Sequence, residues 1–276
     1  MIKKCFVITM FGSSFDWIDK YIDNVQQLEK YGWYWKIFTP NKIESKGNVE
    51  IIDMNTGQFN DLVEKKLGVR PNLFLTESGK PSVHITDFYI YTGVIFEDYL
   101  KDVDFWGITN LDVVYGRLDH FISDDTLKDC EVFSDDVNTI NGVFSLFKNT
   151  PKVNNLFRII QQWPEILTQP ECIGCKEGDK TKHTLYGSDE YIMTDIMRLM
   201  GKDIAFRYPT YYPMLSHDRL EHHLPEPKLE VKDDGSLWEL FRDVNGPEWE
   251  HARPHAGREV FIFHFNVTKR WPECLK

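Results

Sequence analysis

The sequence predicts an α/β protein of the doubly wound, Rossmann-like kind, with an α+β elaboration in its C-terminal third. Three observations carry this. Short apolar runs alternate with segments of helical period through residues 1–150. Gly, Pro and Asn punctuate the joins, as at Gly32, Pro40-Asn41 and Gly68. Beyond residue 203 the alternation gives way to short strands and turns. No linker interrupts the chain, so one domain over 1–276 is expected, with 1–150 and 151–276 as its two parts.

Cys5 to Met10 reads as the first strand, followed by a loop at Gly12-Ser13-Ser14. Phe15, Ile18, Ile22, Val25 and Leu28 recur at helical spacing, and Gly32 closes that helix. Trp33 to Phe38 and Asn48 to Met54 are the next strands, and Phe59 to Leu67 is a short helix ended by Gly68. A longer helix is expected from Asp87 to Leu100, with Phe88, Tyr91, Ile95 and Tyr99 as its apolar stripe. The stretch DFWGITNLDVVYG, Asp104 to Gly116, then reads as a core strand, and a polar turn region follows it. Gly142 to Lys148 is a strand. Thr150-Pro151 begins a helix, with Thr as N-cap and Pro at the first helical position. Residues 164–186 look like loop, and Ser188 to Met200 is a helix closed by Gly201.

Composition removes several classes of function. The net charge is −11, with no basic footprint of a nucleic-acid binder. No apolar run approaches the ~20 residues of a membrane-spanning helix, and the start MIKKCFVITM reads as a strand rather than a signal peptide. Peripheral contact with a membrane is compatible with this. Five cysteines, an odd count, argue against a disulfide scaffold and for a reducing, cytoplasmic compartment. Cys172 and Cys175, with His183 beyond, make half of a zinc pattern at best. His222, His223, His251 and His255 read as surface residues, and the late aromatics Tyr208, Tyr211, Tyr212, Trp238, Phe241 and Trp249 as core or sugar-stacking rings.

The chemistry concentrates at Asn110-Leu111-Asp112. Side chains at i and i+2 of an extended segment share a side, and a turn there lets them converge on one cation. Mg²⁺ and Mn²⁺ take oxygen ligands and need one or two protein carboxylates when substrate phosphates complete the shell. Asp112 can be such a ligand, and Asn110 can offer an amide oxygen to the metal or to a ribose hydroxyl.

Taken in order, several segments resemble a family of bacterial and viral polysaccharide glycosyltransferases with the GT-A fold. They are Phe11-Gly12 with Phe15-Asp16-Trp17, then Ile37-Phe38-Thr39, then His84-Ile85-Thr86-Asp87-Phe88 with Gly93 and Ile95 to Leu100. Asp104-Phe105-Trp106-Gly107, Gly142 to Asn149, Ser188-Asp189-Glu190, and His264-Phe265 with Lys269-Arg270 follow. The resemblance spans nearly the whole chain. It departs at Asn110 and Pro40, where the family usually has Asp, and at His84 and Tyr89, where it favours Lys.

The resemblance implies a mixed sheet flanked by helices, a nucleotide-sugar donor, a divalent cation (Mn²⁺ or Mg²⁺) and transfer to a glycan hydroxyl. The donor would bind through 1–150, with Phe11, Gly12, Thr39, His84, Asp87, Asn110, Lys269 and Arg270. The acceptor would bind through 151–276. Asp112, Asn110 and His264 would hold the metal. Asp189 or Glu190 would be the general base of an inverting transfer, although acids also favour a first helical turn for its dipole alone. Two other readings stay open: a nucleotide- or sugar-binding relative without turnover, and a nucleotidyltransferase. The second should show a glycine-rich basic loop after the first strand, and Phe11-Gly12-Ser13-Ser14 has no cation.

Overall fold

A computed structural model describes residues 1–76, 79, 85–135, 140–168, 189–207, 214–216, 228–240, 258–260 and 262–265. In chain order the strands are β1 (Lys4–Thr9), β2 (Trp33–Thr39), β3 (Val49–Asp53), β4 (Phe105–Thr109), β5 (Val113–Tyr115), β6 (Val132–Ser134) and β7 (Phe144–Lys148). The later ones are β8 (Phe206–Arg207), β9 (Met214–Ser216), β10 (Lys228–Val231), β11 (Leu237–Leu240), β12 (Arg258–Val260) and β13 (Ile262–His264). Seven of them form one mixed sheet in the order β3-β2-β1-β4-β7-β6-β8. β1 is parallel to β2 and β4, whereas β7 runs antiparallel to β4 and β6.

β1 lies mid-sheet and is buried on both faces. Phe6 and Ile8 join Trp33, Trp35 and Ile37 in one core cluster, under helix α1 (Ile18–Gln26). Cys5 and Val7 join Phe38 and Trp106 in the other, under helix α2 (Thr56–Leu67). This period-2 division makes an apolar run without polar alternation a central strand.

Several elements differ from the sequence reading. α1 starts at Ile18, so Phe15 lies in the preceding loop with its ring stacked on Trp17, and it ends at Gln26, so Gly32 closes a separate 3-10 turn, Glu29–Tyr31, and not the helix itself. α2 begins three residues early because Asn55 and Gln58 form a reciprocal capping box. The helix expected over Asp87–Leu100 is instead three short turns, Ile85–Tyr91 and Glu97–Tyr99 of 3-10 type around Thr92–Ile95. β-Branched and aromatic residues crowd this stretch. Packing is also tight there: a Cβ on Gly93 would sit 2.6 Å from the Asn154 side chain, which accepts from Trp106 Nε1.

The Thr150 cap forms and Pro151 is first in its helix, but that helix ends at Asn154. The region after Gly116 is more than turn: it holds two short helices, Leu118–Phe121 and Asp124–Lys128, and strand β6. Trp163–Thr168 is a helix inside the expected loop, and Asp189–Met200 is helical as expected. DFWGITNLDVVYG is not one strand. It divides at Asn110–Asp112 into β4, in the main sheet, and β5, in a small sheet β5-β13-β9.

Candidate functional site

The chain builds β1, β2 and β3 outward on one side of β1, then returns to lay β4 on the other. That reversal makes a topological switch point at the carboxyl ends of β1 and β4, the place where open α/β sheets bind ligands. β4 delivers Thr109 to this edge, and Asn110-Leu111-Asp112 make the turn out of the sheet.

β13 pairs antiparallel with β5, placing His264 against Val113. The Phe265 N–H donates to the Asp112 carbonyl at 2.9 Å. Pairing thus carries His264 to the turn from 154 residues beyond Asn110. His264 Nε2 stands 3.4 Å from Asp112 Oδ1 and 3.4 Å from Asn110 Nδ2. Asp112 and His264 are each 7 % exposed, so both polar groups sit at the floor of the edge rather than in bulk water. The Asn110 amide oxygen is turned the other way, toward the Tyr89 hydroxyl at 3.4 Å.

The donor set suits a divalent cation. Two cis ligands of an octahedral ion with bonds near 2.1 Å lie about 3 Å apart, close to the spacing of Asp112 Oδ1 and His264 Nε2. One carboxylate oxygen and one imidazole nitrogen are proper ligands for Mn²⁺. Among the described residues no group of three or more His, Cys, Asp or Glu gathers to hold a metal. Asp112 and His264 would fill two positions of such a shell. Cys5 and Cys130 are buried free thiols whose burial pushes their pKa up to about 12, so neither competes as a thiolate.

Beside this turn lie the ends of β1 and β2. Asn41 ties them together: its Nδ2 donates to the Gly12 carbonyl and to Thr39 Oγ1, both at 2.8 Å. Thr39 is fully buried, with its hydroxyl also accepting from the Asn41 N–H. Gly12 and Thr39 thus share one clasp. Phe11 turns its ring into the core against Phe59, leaving its backbone alone at the edge. A cleft of about 610 Å³ opens beside Asn41, between α1 and residues 41–46, within the size range of small-molecule sites.

Asp87 belongs to the 3-10 segment Ile85–Tyr91, and Asp189 and Glu190 open the helix Asp189–Met200. That helix packs Ile192, Met193 and Ile196 into the same core cluster as Ile90 and Trp106. His84, Ser188, Lys269 and Arg270 lie outside the described residues, as do Cys172, Cys175, His183, His222, His223, His251, His255, Tyr208, Tyr211, Tyr212, Phe241 and Trp249. Trp238, on β11, lies under the Lys232 ammonium at 3.6 Å.

Two participants in the local geometry were not singled out as ligands. Asn41 follows Pro40 in an ordinary turn signal. Tyr89 carries no sequence mark beyond its departure from the resemblance.

The model of a family described as a family of unknown function (DUF6625) matches residues 6–268. No curated protein matches the chain. Solved structures similar to it include two sugar transferases. One is mouse xyloside xylosyltransferase 1 in its apo form, 10 % identical with a TM-score of 0.45, covering 98 % of this chain and 99 % of that one. The other is the galactosyltransferase LgtC in complex with donor and acceptor sugar analogues, 11 % identical with a TM-score of 0.43, covering 96 % and 87 %.

Proposed function

Because this chain belongs to the family of unknown function DUF6625, its activity has to be argued from its own residues, and we propose that it is a glycosyltransferase. It moves a sugar from a nucleotide-sugar donor to a glycan hydroxyl with the help of Mn²⁺ or Mg²⁺. The observation that carries this is the meeting of Asp112 and His264 at the carboxyl edge, 3.4 Å apart, beside the clasped ends of β1 and β2.

Each group has work to do in such a reaction. The bond from the anomeric carbon to the diphosphate breaks, a bond to the acceptor oxygen forms, and negative charge gathers on the diphosphate. A bound divalent cation supplies Lewis-acid stabilisation of that charge. Asp112 and His264 would hold it, and the ligand's phosphate oxygens would complete its shell. Gly12 and Thr39 line the β1–β2 end, where the nucleoside would lie. Lys269 and Arg270 would add cationic donors to the phosphates, arginine in bidentate fashion. Asp189 or Glu190 would take the acceptor proton. Residues 1–150 would form the donor part and 151–276 the acceptor part of a single domain.

One observation favours a second reading, a donor-binding protein without turnover. Asn110 turns its amide oxygen to Tyr89 and its nitrogen toward His264, so that oxygen is not offered to a cation. Calorimetry with a panel of nucleotide sugars, with and without Mn²⁺, and an assay for released nucleoside diphosphate separate the two. The enzyme reading expects Mn²⁺-dependent turnover that Asp112→Ala abolishes with an unchanged circular-dichroism spectrum. Near-full activity in Asp112→Ala overturns the metal site. Metal-independent binding with neither hydrolysis nor transfer overturns the enzyme.

A further inference from the structure

Asp112 and His264 touch each other, and Asn110 Nδ2 stands 3.4 Å from His264 Nε2. Behind this turn a second set of bonds holds Tyr115, at the far end of β5. Asn24, on α1, grips the Tyr115 backbone from both sides. Its Nδ2 donates to the Tyr115 carbonyl at 2.9 Å, and its Oδ1 accepts from the Tyr115 N–H at 2.8 Å. This is the paired exchange that a neighbouring strand would make, supplied by one side chain. Gln27, one turn along the helix, donates to the same carbonyl at 3.4 Å. The Tyr115 hydroxyl bonds Thr109 Oγ1, and both residues are almost wholly buried.

The two ends of the turn are therefore tied directly. Thr109 is the last residue of β4 and Tyr115 the last of β5, with Asn110 to Asp112 between them. β5 in turn sets the register of β13, opposing Tyr115 to Ile262 and Val113 to His264. A shift of Tyr115 along its axis would move Asp112 directly and His264 through the pairing. Burial holds the Tyr115 phenol protonated far above neutral pH, so its hydroxyl link persists across the working range.

We infer that Asn24, acting through Tyr115, is a positioning residue that sets the separation of Asp112 and His264 and hence the affinity of the site for a divalent cation. The cation part rests on the function proposed above; the geometric part does not.

The test compares Asn24→Ala and Tyr115→Phe with Asn48→Ala in the full chain. Asn48 is a buried amide that donates to the Val25 and Trp33 carbonyls and does not touch the turn, so it controls for lost stability. Tyr115→Phe keeps the ring packing if Asn24→Ala folds poorly. Two quantities are read: the ring ¹H–¹⁵N resonances of His264 without metal, assigned with His264→Gln, and the dissociation constant for Mn²⁺ alone. We expect the His264 resonances to move in Asn24→Ala and Tyr115→Phe and to stay in Asn48→Ala. The Mn²⁺ constant should rise at least fivefold in the first two and less than twofold in the control. Unmoved His264 resonances in both test variants, or equal movement in Asn48→Ala, overturn the inference. If the resonances respond as expected but the wild type binds no Mn²⁺, the positioning of Asp112 and His264 is supported and the metal reading falls.

Discussion

Among the described residues, the most deeply buried charge is not at the candidate site. Lys4, 2 % exposed, sends its ammonium to Asp124 Oδ1 at 2.8 Å and to the Tyr31 carbonyl at 3.2 Å, over the Trp33 ring. Burial works against the Asp124 carboxylate, yet the Lys4 ammonium and the Ile2 N–H hold its pKa below the usual range. The sign follows. A carboxyl with a lowered folded pKa stabilises the fold above its unfolded value of about 3.9, and that contribution drains away as pH falls through the lower folded value. Removing the partner of a fully buried charge costs about 3–5 kcal/mol. Asp124 is 36 % exposed, so solvent screening brings the expected cost of Asp124→Asn to about 2 kcal/mol at pH 7. Urea titrations at pH 7, 4 and 2.5 check this: the gap to wild type should close as pH falls. A gap unchanged at pH 2.5 means the pair does not act as a charge pair.

At the scale of elements, what the sequence revealed depended on whether the deciding interaction was local. Strands β1, β2, β3 and β7 fall where apolar runs lie between turn residues; β1 and β7, inside the sheet and almost wholly buried, need no other mark, and the edge strand β3 keeps enough of its apolar run to be read the same way. The Thr150 cap was legible because it satisfies its own neighbours, Thr150 Oγ1 accepting from the Val153 N–H; Gly32, at a φ of 78°, was legible as a stop, although it ends the 3-10 turn Glu29–Tyr31 and not α1. The stretch Ile85–Tyr99 misled because its aromatics do recur at helical spacing, but tertiary packing around Gly93, Trp106 and Asn154 decided its path. β6 was missed because three residues carry no periodicity. The start of α2 was legible in principle, since Asn55 and Gln58 stand at capping-box spacing. That box satisfies two backbone donors in the first turn, so Asn55→Ala should cost about 1 kcal/mol by chemical denaturation. A loss under about 0.3 kcal/mol would show that core packing, not the cap, fixes where α2 begins.

For the molecule as a whole, the site is a product of topology more than of motif. Asn110 and Asp112 were legible as a pair, because i and i+2 spacing is local. His264 was reached through family resemblance, since nothing in a strand-end histidine announces that β13 will pair with β5. The clasp at Asn41 and the grip of Asn24 on Tyr115 were not legible, as each joins elements far apart in sequence. A site drawn from four separate segments, around residues 12, 39–41, 109–112 and 264, exists only in the folded chain. A ligand spanning them must therefore stabilise the whole fold by linkage. At a hundred times its dissociation constant a ligand adds about 2.7 kcal/mol, which for a chain of this size raises the melting temperature by roughly 5 °C. We expect a nucleotide sugar with Mn²⁺ to give such a shift, the sugar alone to give much less, and Asp112→Ala to lose the Mn²⁺-dependent part. Equal shifts with and without Mn²⁺ in both proteins would place the ligand elsewhere, since binding through Asp112 and His264 makes cation and donor raise each other's affinity by the same factor.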